Sequence, residues 1–247
     1  MNPPASMTPI MLDQHALITG INGSGKSTRL TLQASWRLQR MRKFSPRSWK
    51  MVIVDSKPIQ YGENDDYGHY WKLGDVIYRD WRSFTLENDY RCVIYRPTAD
   101  LVNPTDFGQF FDKLRDYRRK DPHGNLAPLP MTIIIDELID IIASQRSRRT
   151  YIESFTKFLT EGRGALQTLW IATQYPTYID AGIKRNARVN FVFRLPDGND
   201  RKIMADVLGS RLLEQPIRYK HGFFYQNDAF DQTLTVPEFF NGIVNAA

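Results

Sequence analysis

The segment GINGSGKS at positions 20–27 constrains the fold of this chain more than any other feature. It matches the pattern G-x-x-x-x-G-K-[ST] in full. The apolar run HALIT (15–19) precedes it, and a helix-like segment from Ser27 to Arg42 follows it. A strand before this pattern and a helix after it are the context in which such a loop binds phosphate groups. The sequence therefore predicts an α/β fold in which a glycine-rich turn joins a buried strand to a helix.

The residue types in this loop suit a bound nucleoside triphosphate. Glycines let the backbone turn its N–H groups toward the phosphates, and the helix that begins near Lys26 adds the positive end of its dipole. We expect Lys26 to reach the β- and γ-phosphates and the hydroxyl of Ser27 to bind Mg²⁺. The residues predicted to bind the nucleotide are Gly20, Asn22, Gly23, Ser24, Gly25, Lys26, Ser27 and Thr28. The sequence has no evident motif that would distinguish adenine from guanine.

Length and composition indicate one globular domain. The chain has 247 residues, 42% of them hydrophobic, which suffices for one sizeable core and excludes a disordered chain. The single cysteine, Cys92, excludes an internal disulfide framework, and no run approaches the ~20 apolar residues of a membrane span. The N-terminus lacks the features of a signal peptide. We therefore expect an intracellular chain without an intrinsic membrane segment, folded as a single domain over 1–247 with 1–13 as an N-terminal extension.

Six apolar runs bounded by turn residues are predicted to form strands that are buried on both faces, as in a parallel sheet. They are HALIT (15–19), MVIVD (51–55), CVIY (92–95), TIIID (132–136), LWIAT (169–173) and NFVFRL (190–195). Helix-like segments lie between them, at 27–42, 104–120, 138–145, 151–160 and 200–208. This alternation predicts a doubly wound, mainly parallel α/β sheet. The stretches GFFYQ (222–226) and QTLTV (232–236) predict a C-terminal hairpin, and 122–130 is interpreted as a loop.

The run IIIDE (133–137) delivers two carboxylates to the end of a predicted strand. Open α/β sheets bind their ligands at the carboxyl ends of the strands. We expect Asp136 to hold Mg²⁺ through water, and Glu137 to act as the general base that polarises the attacking water. The alternative is that Glu137 simply starts the next helix, where the helix dipole favours a carboxylate.

The order of the strands indicates one branch of the phosphate-loop proteins. At least one predicted strand, CVIY (92–95), with MVIVD (51–55) as a second, lies between the strand before the loop and the acidic strand. The strand after the acidic one ends in Thr173 and Gln174. This arrangement resembles the additional-strand, catalytic-glutamate (RecA-like) branch of the P-loop ATPases, whose next strand ends in a polar sensor of the γ-phosphate. The resemblance implies that Gln174 is this sensor. An ordinary strand-end glutamine is the alternative.

Four segments resemble FtsK/HerA-type DNA-pumping ATPases, in the order that this family shows. They are DSK (55–57), IIIDE (133–137), GRGALQTLWIATQYP (162–176) and RNARVNFVFRLPD (185–197), and the resemblance spans residues 14 to about 226. The family's arginine and glycine before one strand, and the alanine, threonine and glutamine at its end, correspond to Arg163, Gly164, Ala172, Thr173 and Gln174. Asp55 and Lys57 match an acidic and a basic residue of the family, and the sequence does not assign their role. The segment ALQTLWIATQ departs from the isoleucine and histidine that the family more often has before this strand.

The resemblance implies a motor that hydrolyses ATP with Mg²⁺ and translocates double-stranded DNA. Most members of the family carry further domains, for which this chain has little room, and it is most similar to the genome-packaging ATPases of tailless icosahedral viruses with an internal membrane. We therefore expect it to package a double-stranded DNA genome into a preformed capsid, in the host cytoplasm during assembly and at the virion vertex. The expected partners are DNA, further copies of the chain in a ring-shaped homo-oligomer such as a hexamer, and capsid or membrane vertex proteins.

Arg163 is the candidate for a residue that acts between the subunits of such a ring. It lies between Gly162 and Gly164, which would let a loop present a long cation at a subunit edge. A cation that completes the site of a neighbour stabilises charge on the transferring phosphoryl group. The alternative is a surface arginine that caps the end of the preceding helix.

A polyanionic partner would also suit the charge of the chain, which is +6 with a pI near 9.4. Basic residues cluster within 37–50, 115–120 and 146–149. The loop QRSRRT (145–150), with Arg146, Arg148 and Arg149, is the first candidate for contact with the DNA backbone. Solvated helix faces are the alternative for all three clusters.

Other functions remain open on the sequence alone. One is a cellular or conjugative FtsK/HerA-type translocase, and another is an assembly or secretion ATPase that hydrolyses nucleotide without moving DNA. A third is a small-molecule phosphotransferase, since nucleotide kinases also have a P-loop. Such kinases lack a glutamate after the acidic strand and use lid arginines instead, so Asp136, Glu137 and Gln174 argue against this third function.

Overall fold

The computed structural model describes residues 10, 13–55, 73–97, 104–121, 123–138, 157–179, 181–195, 197–209, 222–227 and 231–235. Within these ranges the strands, numbered in chain order, are β1 (Ala16–Thr19), β2 (Lys50–Asp55), β3 (Val76–Tyr78), β4 (Cys92–Tyr95), β5 (Arg118–Lys120), β6 (Leu126–Pro128), β7 (Met131–Asp136), β8 (Gln167–Thr173), β9 (Val189–Phe193), β10 (Phe223–Asn227) and β11 (Asp231–Thr235). The helices are α1 (Lys26–Met41), α2 (Pro104–Asp116), α3 (Ala181–Asn186) and α4 (Gly198–Leu208), with short 3-10 turns at Gly162–Ala165 and Pro176–Tyr178. None of the helices in the described ranges is long and apolar enough to cross a membrane.

Nine of these strands form one sheet in the order β11-β10-β9-β1-β8-β7-β2-β4-β3. The seven strands from β9 to β3 in this order are parallel to one another. Strand β10 is antiparallel to both β9 and β11. The mainly parallel α/β sheet and the C-terminal hairpin that the sequence predicts are therefore confirmed.

The central strands form because their residues are apolar on both sides of the sheet. Every residue of β2, β7 and β8 is buried. Alternate residues enter two separate cores: Val52 and Ile133 lie in one core, and Ile53 and Ile134 lie in the other. Strands of this kind are typical of a parallel sheet that has helices on both faces.

Helices α1 and α2 contribute to different cores of the sheet. Leu30 and Ala34 of α1 lie in the core that contains Ile53. The apolar residues that α2 places in the other core are Phe107, Phe110, Phe111 and Leu114. These four are spaced three and four residues apart, so they form one face of the helix. Phe110 stacks on Tyr95 of β4, with 4.4 Å between the ring centroids.

Three short strands had no counterpart in the sequence prediction. The helix predicted over 104–120 ends at Asp116, and β5 follows it. Strand β5 pairs antiparallel with β6, so the loop expected over 122–130 is partly a strand. Strand β3 forms one edge of the sheet. A strand of three residues has too few positions for an alternating pattern to be visible. Most of the helical segments predicted over 138–145 and 151–160 lie outside the described residues.

The parallel register brings the ends of four strands together at one edge of the sheet. Asp55 of β2 lies beside Asp136 of β7, and Asp136 lies beside Ala172 of β8. Thr19 at the end of β1 lies beside Thr173 at the end of β8. We call this edge the carboxyl edge, and the opposite one, where the same strands begin, the amino edge. Ligands bind at the carboxyl edge in open sheets of this type.

Candidate nucleotide-binding site

The loop of residues 20–25 joins β1 to α1 at the carboxyl edge, and its start is tied to both neighbours of β1. Gly20 N donates a hydrogen bond to Thr173 O over 3.2 Å, at the end of β8. Ile21 N donates to Arg194 O over 3.1 Å, directly after β9. The loop therefore leaves the sheet in a direction that two flanking strands fix.

Two glycines in this loop are required by its geometry. Gly20 has a φ of 151°, and a Cβ at this position would lie 2.5 Å from Cβ of Phe193, so any other residue would clash with Phe193 of β9. Gly25 has a φ of 105° and turns the chain directly into α1. Both conformations are ones that glycine adopts without steric cost. The glycine pattern in the sequence thus corresponds to real constraints on the backbone.

Lys26, the first residue of α1, lies inside the loop. Its Nζ donates to Gly20 O over 2.6 Å and to Ile21 O over 3.0 Å. Only 5% of the residue is exposed. The loop therefore folds around the ammonium group, as expected of a lysine that contacts the β- and γ-phosphates. Asn22 and Gly23 form the exposed tip of the loop.

Asp136 and Glu137 follow one another at the end of β7, and both are buried. Glu137 has a φ of 77°, in the left-handed region that residues other than glycine rarely adopt. Such a conformation costs about 1–3 kcal/mol and is found where the surrounding structure enforces it, often at active sites. Glu137 is thus not an ordinary first residue of a helix, and its backbone conformation aims the carboxylate toward the end of β8.

One oxygen of the Glu137 carboxylate is fixed by two hydrogen bonds. Oε1 accepts from Thr173 Oγ1 over 3.1 Å and from Gln174 N over 3.1 Å. Thr173 Oγ1 in turn accepts from Tyr175 N over 3.2 Å, which orients its hydroxyl toward Glu137. Oε2 is buried and accepts no hydrogen bond from the described residues. The carboxylate is therefore held through one oxygen, while the other is left for a reaction partner such as water.

The predicted magnesium ligands suit that ion. Ser27 lies in the first turn of α1, and Asp136 is fully buried at the end of β7. They offer a hydroxyl and a carboxylate, and Mg²⁺ prefers such oxygen ligands. Among the described residues, no group of three or more His, Cys, Asp or Glu side chains could hold a metal by itself. Mg²⁺ usually keeps several waters and is bound by one or two carboxylates together with substrate phosphates, so a cluster of that size is not required here.

A buried ion pair, absent from our sequence interpretation, lies beside this pair of carboxylates. Arg96 follows β4, and its Nη2 lies 3.0 Å from Asp55 Oδ2 at the end of β2; both side chains are 2% exposed. Asp55 also lies beside Asp136 in the register of the sheet. Arg96 thus offsets one of two negative charges brought together on adjacent strands. The sequence signal was present, because an acidic and a basic residue directly follow two apolar runs. Lys57 lies outside the described residues.

Gln174 and Arg163 occupy opposite ends of the same strand. Gln174 follows β8 at the carboxyl edge, and its backbone contacts Glu137. Arg163 lies in the turn before β8, at the amino edge, and is exposed. Because Gln167 pairs with Met131 and Ala172 pairs with Asp136, about 17 Å of strand separates that turn from the phosphate loop. Arg163 is therefore remote from the candidate nucleotide site of the same chain.

A second observation supports this position for Arg163. Burial is the main reason that the pKa of His15 is lowered to about 4, and the positive charges of Arg163 and Arg188 lower it further. His15 directly precedes β1, and Arg188 directly precedes β9. All three therefore lie at the amino edge, where the parallel strands begin.

Arg37, in the first basic cluster, belongs to the interior of the protein. Its guanidinium donates to Thr132 Oγ1 over 3.1 Å and to Ile10 O over 2.6 Å, and lies 4.6 Å above the ring of Trp170. Burial lowers the pKa of Arg37 to about 9, so it stays charged at neutral pH. Contact with DNA is excluded for this residue by its burial. The DNA-binding candidates Arg146, Arg148 and Arg149 lie outside the described residues.

No protein-family model matches the sequence, and no curated protein matches it. The fold, in contrast, is similar to several solved structures. The genome packaging NTPase B204 from Sulfolobus turreted icosahedral virus 2, in complex with AMPPCP, is 15% identical, with a TM-score of 0.66; the match covers 92% of this chain and 98% of that chain. The pCW3 conjugation coupling protein TcpA, in its monomer form with ATPγS, is 17% identical, with a TM-score of 0.60 and coverage of 92% of this chain and 61% of TcpA.

A third similar structure is EssC (ATPases 2 and 3) from Geobacillus thermodenitrificans. It is 12% identical, with a TM-score of 0.61, and the match covers 95% of this chain and 42% of EssC. The chain therefore shares the α/β fold of these ATPases, as the sequence predicted.

Proposed function

We propose that this chain is a single-domain motor that hydrolyses ATP and translocates double-stranded DNA, packaging a viral genome into a preformed capsid. The observation that carries the hydrolysis part is the orientation of Glu137 by Thr173 Oγ1 and Gln174 N, next to the strand end that bears Asp136. The packaging part is supported by the match to the genome packaging NTPase B204, which extends over 98% of that chain.

In this proposal each part of the carboxyl edge has a chemical task. The backbone of residues 20–25 and the ammonium group of Lys26 bind the phosphates, and Ser27 and Asp136 hold Mg²⁺. When bound, Mg²⁺ neutralises charge that develops on the phosphates. Glu137 accepts a proton from the attacking water at Oε2, since Oε1 is already fixed by two donors. Gln174, on the same strand end as Thr173, senses the γ-phosphate.

The motor acts on DNA as a ring of identical subunits, and we propose that this ring is a hexamer. Its place is the host cytoplasm during assembly and the virion vertex, where capsid or membrane vertex proteins are its partners. Arg146, Arg148 and Arg149 remain the first candidates for pore contact, because arginines bind phosphate without reading the base sequence. Replacing these three by alanine is expected to reduce DNA-stimulated hydrolysis more than basal hydrolysis.

A second candidate function is supported by the similarity of the fold to EssC and to the cytoplasmic domain of the Type VII secretion ATPase EccC from Thermomonospora curvata, at a TM-score of 0.56 for the latter. In that case the chain would use ATP hydrolysis to change partners in a secretion or assembly process without moving DNA. A cellular or conjugative translocase, as the match to TcpA would favour, shares the DNA substrate and differs in its setting.

ATP turnover with and without duplex DNA separates these functions. We expect the full chain to hydrolyse ATP in the presence of Mg²⁺, and duplex DNA of any sequence to accelerate turnover. A triplex-displacement assay on linear duplex DNA then tests movement directly, since a translocating motor removes the third strand only when ATP is hydrolysed. Turnover that DNA leaves unchanged, with no strand displacement, would favour the secretion or assembly function. Absence of any ATP turnover would contradict both functions.

A further inference from the structure

The β5–β6 pair is a two-stranded ribbon that is separate from the main sheet. It connects α2 to β7, and the three residues of β5 are Arg118, Arg119 and Lys120. The strands pair antiparallel, with Arg118 opposite Pro128 and Lys120 opposite Leu126. Directly opposite residues of an antiparallel pair lie on the same face of the ribbon. Arg118, Lys120, Leu126 and Pro128 therefore form one face, which we call the ribbon face.

The ribbon face is exposed and carries two cations beside apolar surface. All four of its residues are exposed, and Leu126 is 75% exposed, more than any other large hydrophobic side chain in the described residues. Both charged residues of the ribbon face are basic. Arg118 is held at the base of the ribbon, where its Nη1 donates to Arg115 O and Tyr117 O. The face thus presents positive charge and an apolar side chain to the solvent.

The one carboxylate at the tip of the ribbon is used by the turn itself. Asp121 Oδ1 accepts from His123 N and from Asn125 N, each over 2.8 Å, and Asp121 N donates to Asn125 O over 2.8 Å. Hydrogen bonds from Asn125, and further ones from His123 and Gly124, hold the pKa of Asp121 below its ordinary value. The carboxylate of Asp121 is therefore directed toward the backbone of residues 123–125.

A groove of about 700 Å³ runs between the ribbon and the segment that precedes β2. Its walls carry four cations, Arg47, Arg118, Arg119 and Lys120, and two carboxylates, Glu87 and Asp116. Arg47 is itself paired with Asp89 over 2.8 Å. The excess of positive charge in this region is therefore contributed by β5.

We propose that the ribbon face binds the phosphate backbone of duplex DNA, with Arg118 and Lys120 on phosphates and Leu126 against the sugars. This inference rests on the proposed function and adds a contact surface to it. A two-stranded ribbon is narrow enough to enter the major groove of B-DNA. Lysine and arginine bind phosphates without sequence preference, which suits a protein that must bind DNA of any sequence. If the ribbon face bound a protein partner instead, replacing Arg118 and Lys120 would leave the salt dependence of DNA binding unchanged.

The test is the salt dependence of DNA affinity. Binding of a fluorescein-labelled random-sequence 30-base-pair duplex is measured by anisotropy over a range of salt concentrations, for the full chain and for Arg118→Ala/Lys120→Ala. The slope of log affinity against log salt should become shallower by about two, one per lost phosphate contact. The matched control is Arg185→Ala/Lys202→Ala, which removes the same charge from two exposed residues on α3 and α4. It should keep the wild-type slope. Basal ATP turnover should be unchanged in both variants, which also shows that they are folded.

The outcomes separate this inference from the proposed function. If the wild type binds duplex DNA and the ribbon variant has the same slope as the wild type, the ribbon is not a DNA contact, while the motor function stands. An equal loss of slope in the ribbon variant and in the control would mean that net charge matters and the ribbon face does not. If the wild type fails to bind duplex DNA, both the DNA-translocating function and the ribbon contact are wrong. Leu126→Ser provides a further check, since it should weaken binding without changing the slope.

Discussion

Glu137 has the two properties that a water-activating carboxylate needs, and both come from its surroundings. Its backbone has a φ of 77°, which fixes the direction of the side chain. Its Oε1 is held by Thr173 and Gln174, so the buried carboxylate has one defined orientation. Lys26, in contrast, lies inside the phosphate loop, where its Nζ donates to Gly20 O and Ile21 O, and we propose that it binds phosphate. The two residues should therefore fail in different ways when they are replaced.

We expect Lys26→Ala to weaken nucleotide binding and abolish hydrolysis, and Glu137→Gln to keep binding while turnover falls by roughly 10²- to 10⁴-fold, as expected when a general base is lost. Glutamine preserves the shape of the side chain and removes its basicity. Binding of a fluorescent ATP analogue and phosphate release are measured side by side on each variant. Equal loss of nucleotide binding in both variants would assign Glu137 a structural role.

Thr173 is a positioning residue in this scheme, because its hydroxyl acts on the nucleotide through Glu137. Thr173→Val should lower kcat for ATP by tenfold or more with little change in KM, since the phosphate loop is untouched and the base loses one of two donors. Thr173→Ser keeps the hydroxyl and should restore most of the activity. Thr168→Val is the matched control, because Thr168 is also buried in β8 but lies near the amino edge, beside Thr132. If kcat falls equally in the Thr168 variant, the loss of any buried hydroxyl group from β8 has this effect, and Thr173 has no specific role.

At the scale of elements, the strand ends are joined by the Asp55–Arg96 ion pair, which links β2 to the residue after β4. Removing one partner of a buried pair leaves the other charge in the interior with less compensation, which typically costs about 3–5 kcal/mol. Replacing both partners by neutral groups costs much less, because no buried charge remains. The pair is thus a sensitive point in the packing of these strands.

We expect Arg96→Met to lower the free energy of unfolding by about 3–5 kcal/mol, and Asp55→Asn/Arg96→Met to recover much of that loss. Urea unfolding followed by circular dichroism measures both. The exposed pair of Arg47 and Asp89, with both side chains 74% exposed, provides the control, and Arg47→Ala should leave the urea midpoint unchanged. The cycle is completed by Asp55→Asn alone; a loss in the double variant that equals the sum of the losses in the two single variants would show that the two side chains do not interact.

At the scale of the whole molecule, the sequence predicted the features that depend on local pattern. Apolar runs identified the long parallel strands, because the residues on both faces of these strands are buried, and the glycine spacing identified the phosphate loop. The three-residue strands were not predicted, because so short a segment cannot show an alternation of apolar and polar residues. The conformation of Glu137 and the burial of Arg37 depend on which strands become neighbours, and the sequence does not give that order. The remote position of Arg163 could have been derived, because a residue before a parallel strand lies at the amino edge.

The position of Arg163 makes the assembly of subunits testable. A residue at the amino edge can complete a phosphate site only in another subunit, and then only if the carboxyl edge of one subunit faces the turn at 162–165 of the next. Such head-to-tail contacts generate closed rings when the rotation between subunits closes, and open filaments when it does not. The turn is well suited to present Arg163, since a Cβ at Gly162 would lie 2.5 Å from Gln167 O and the glycine lets the turn pack tightly on β8.

Mixing Arg163→Ala with Lys26→Ala subunits should therefore restore part of the ATP turnover that each variant lacks alone. Some interfaces in the mixed ring would combine an intact phosphate loop with an intact arginine from the neighbour. In related phosphoryl transfer such an arginine contributes roughly 10³ to 10⁵ in rate, so even a minority of restored sites would be detectable. Subunit exchange is verified by energy transfer between labelled subunits before turnover is measured. If exchange occurs and the mixture stays as inactive as either variant, Arg163 does not act in trans. If Arg163→Ala alone is fully active, Arg163 is a surface arginine at the end of the preceding helix.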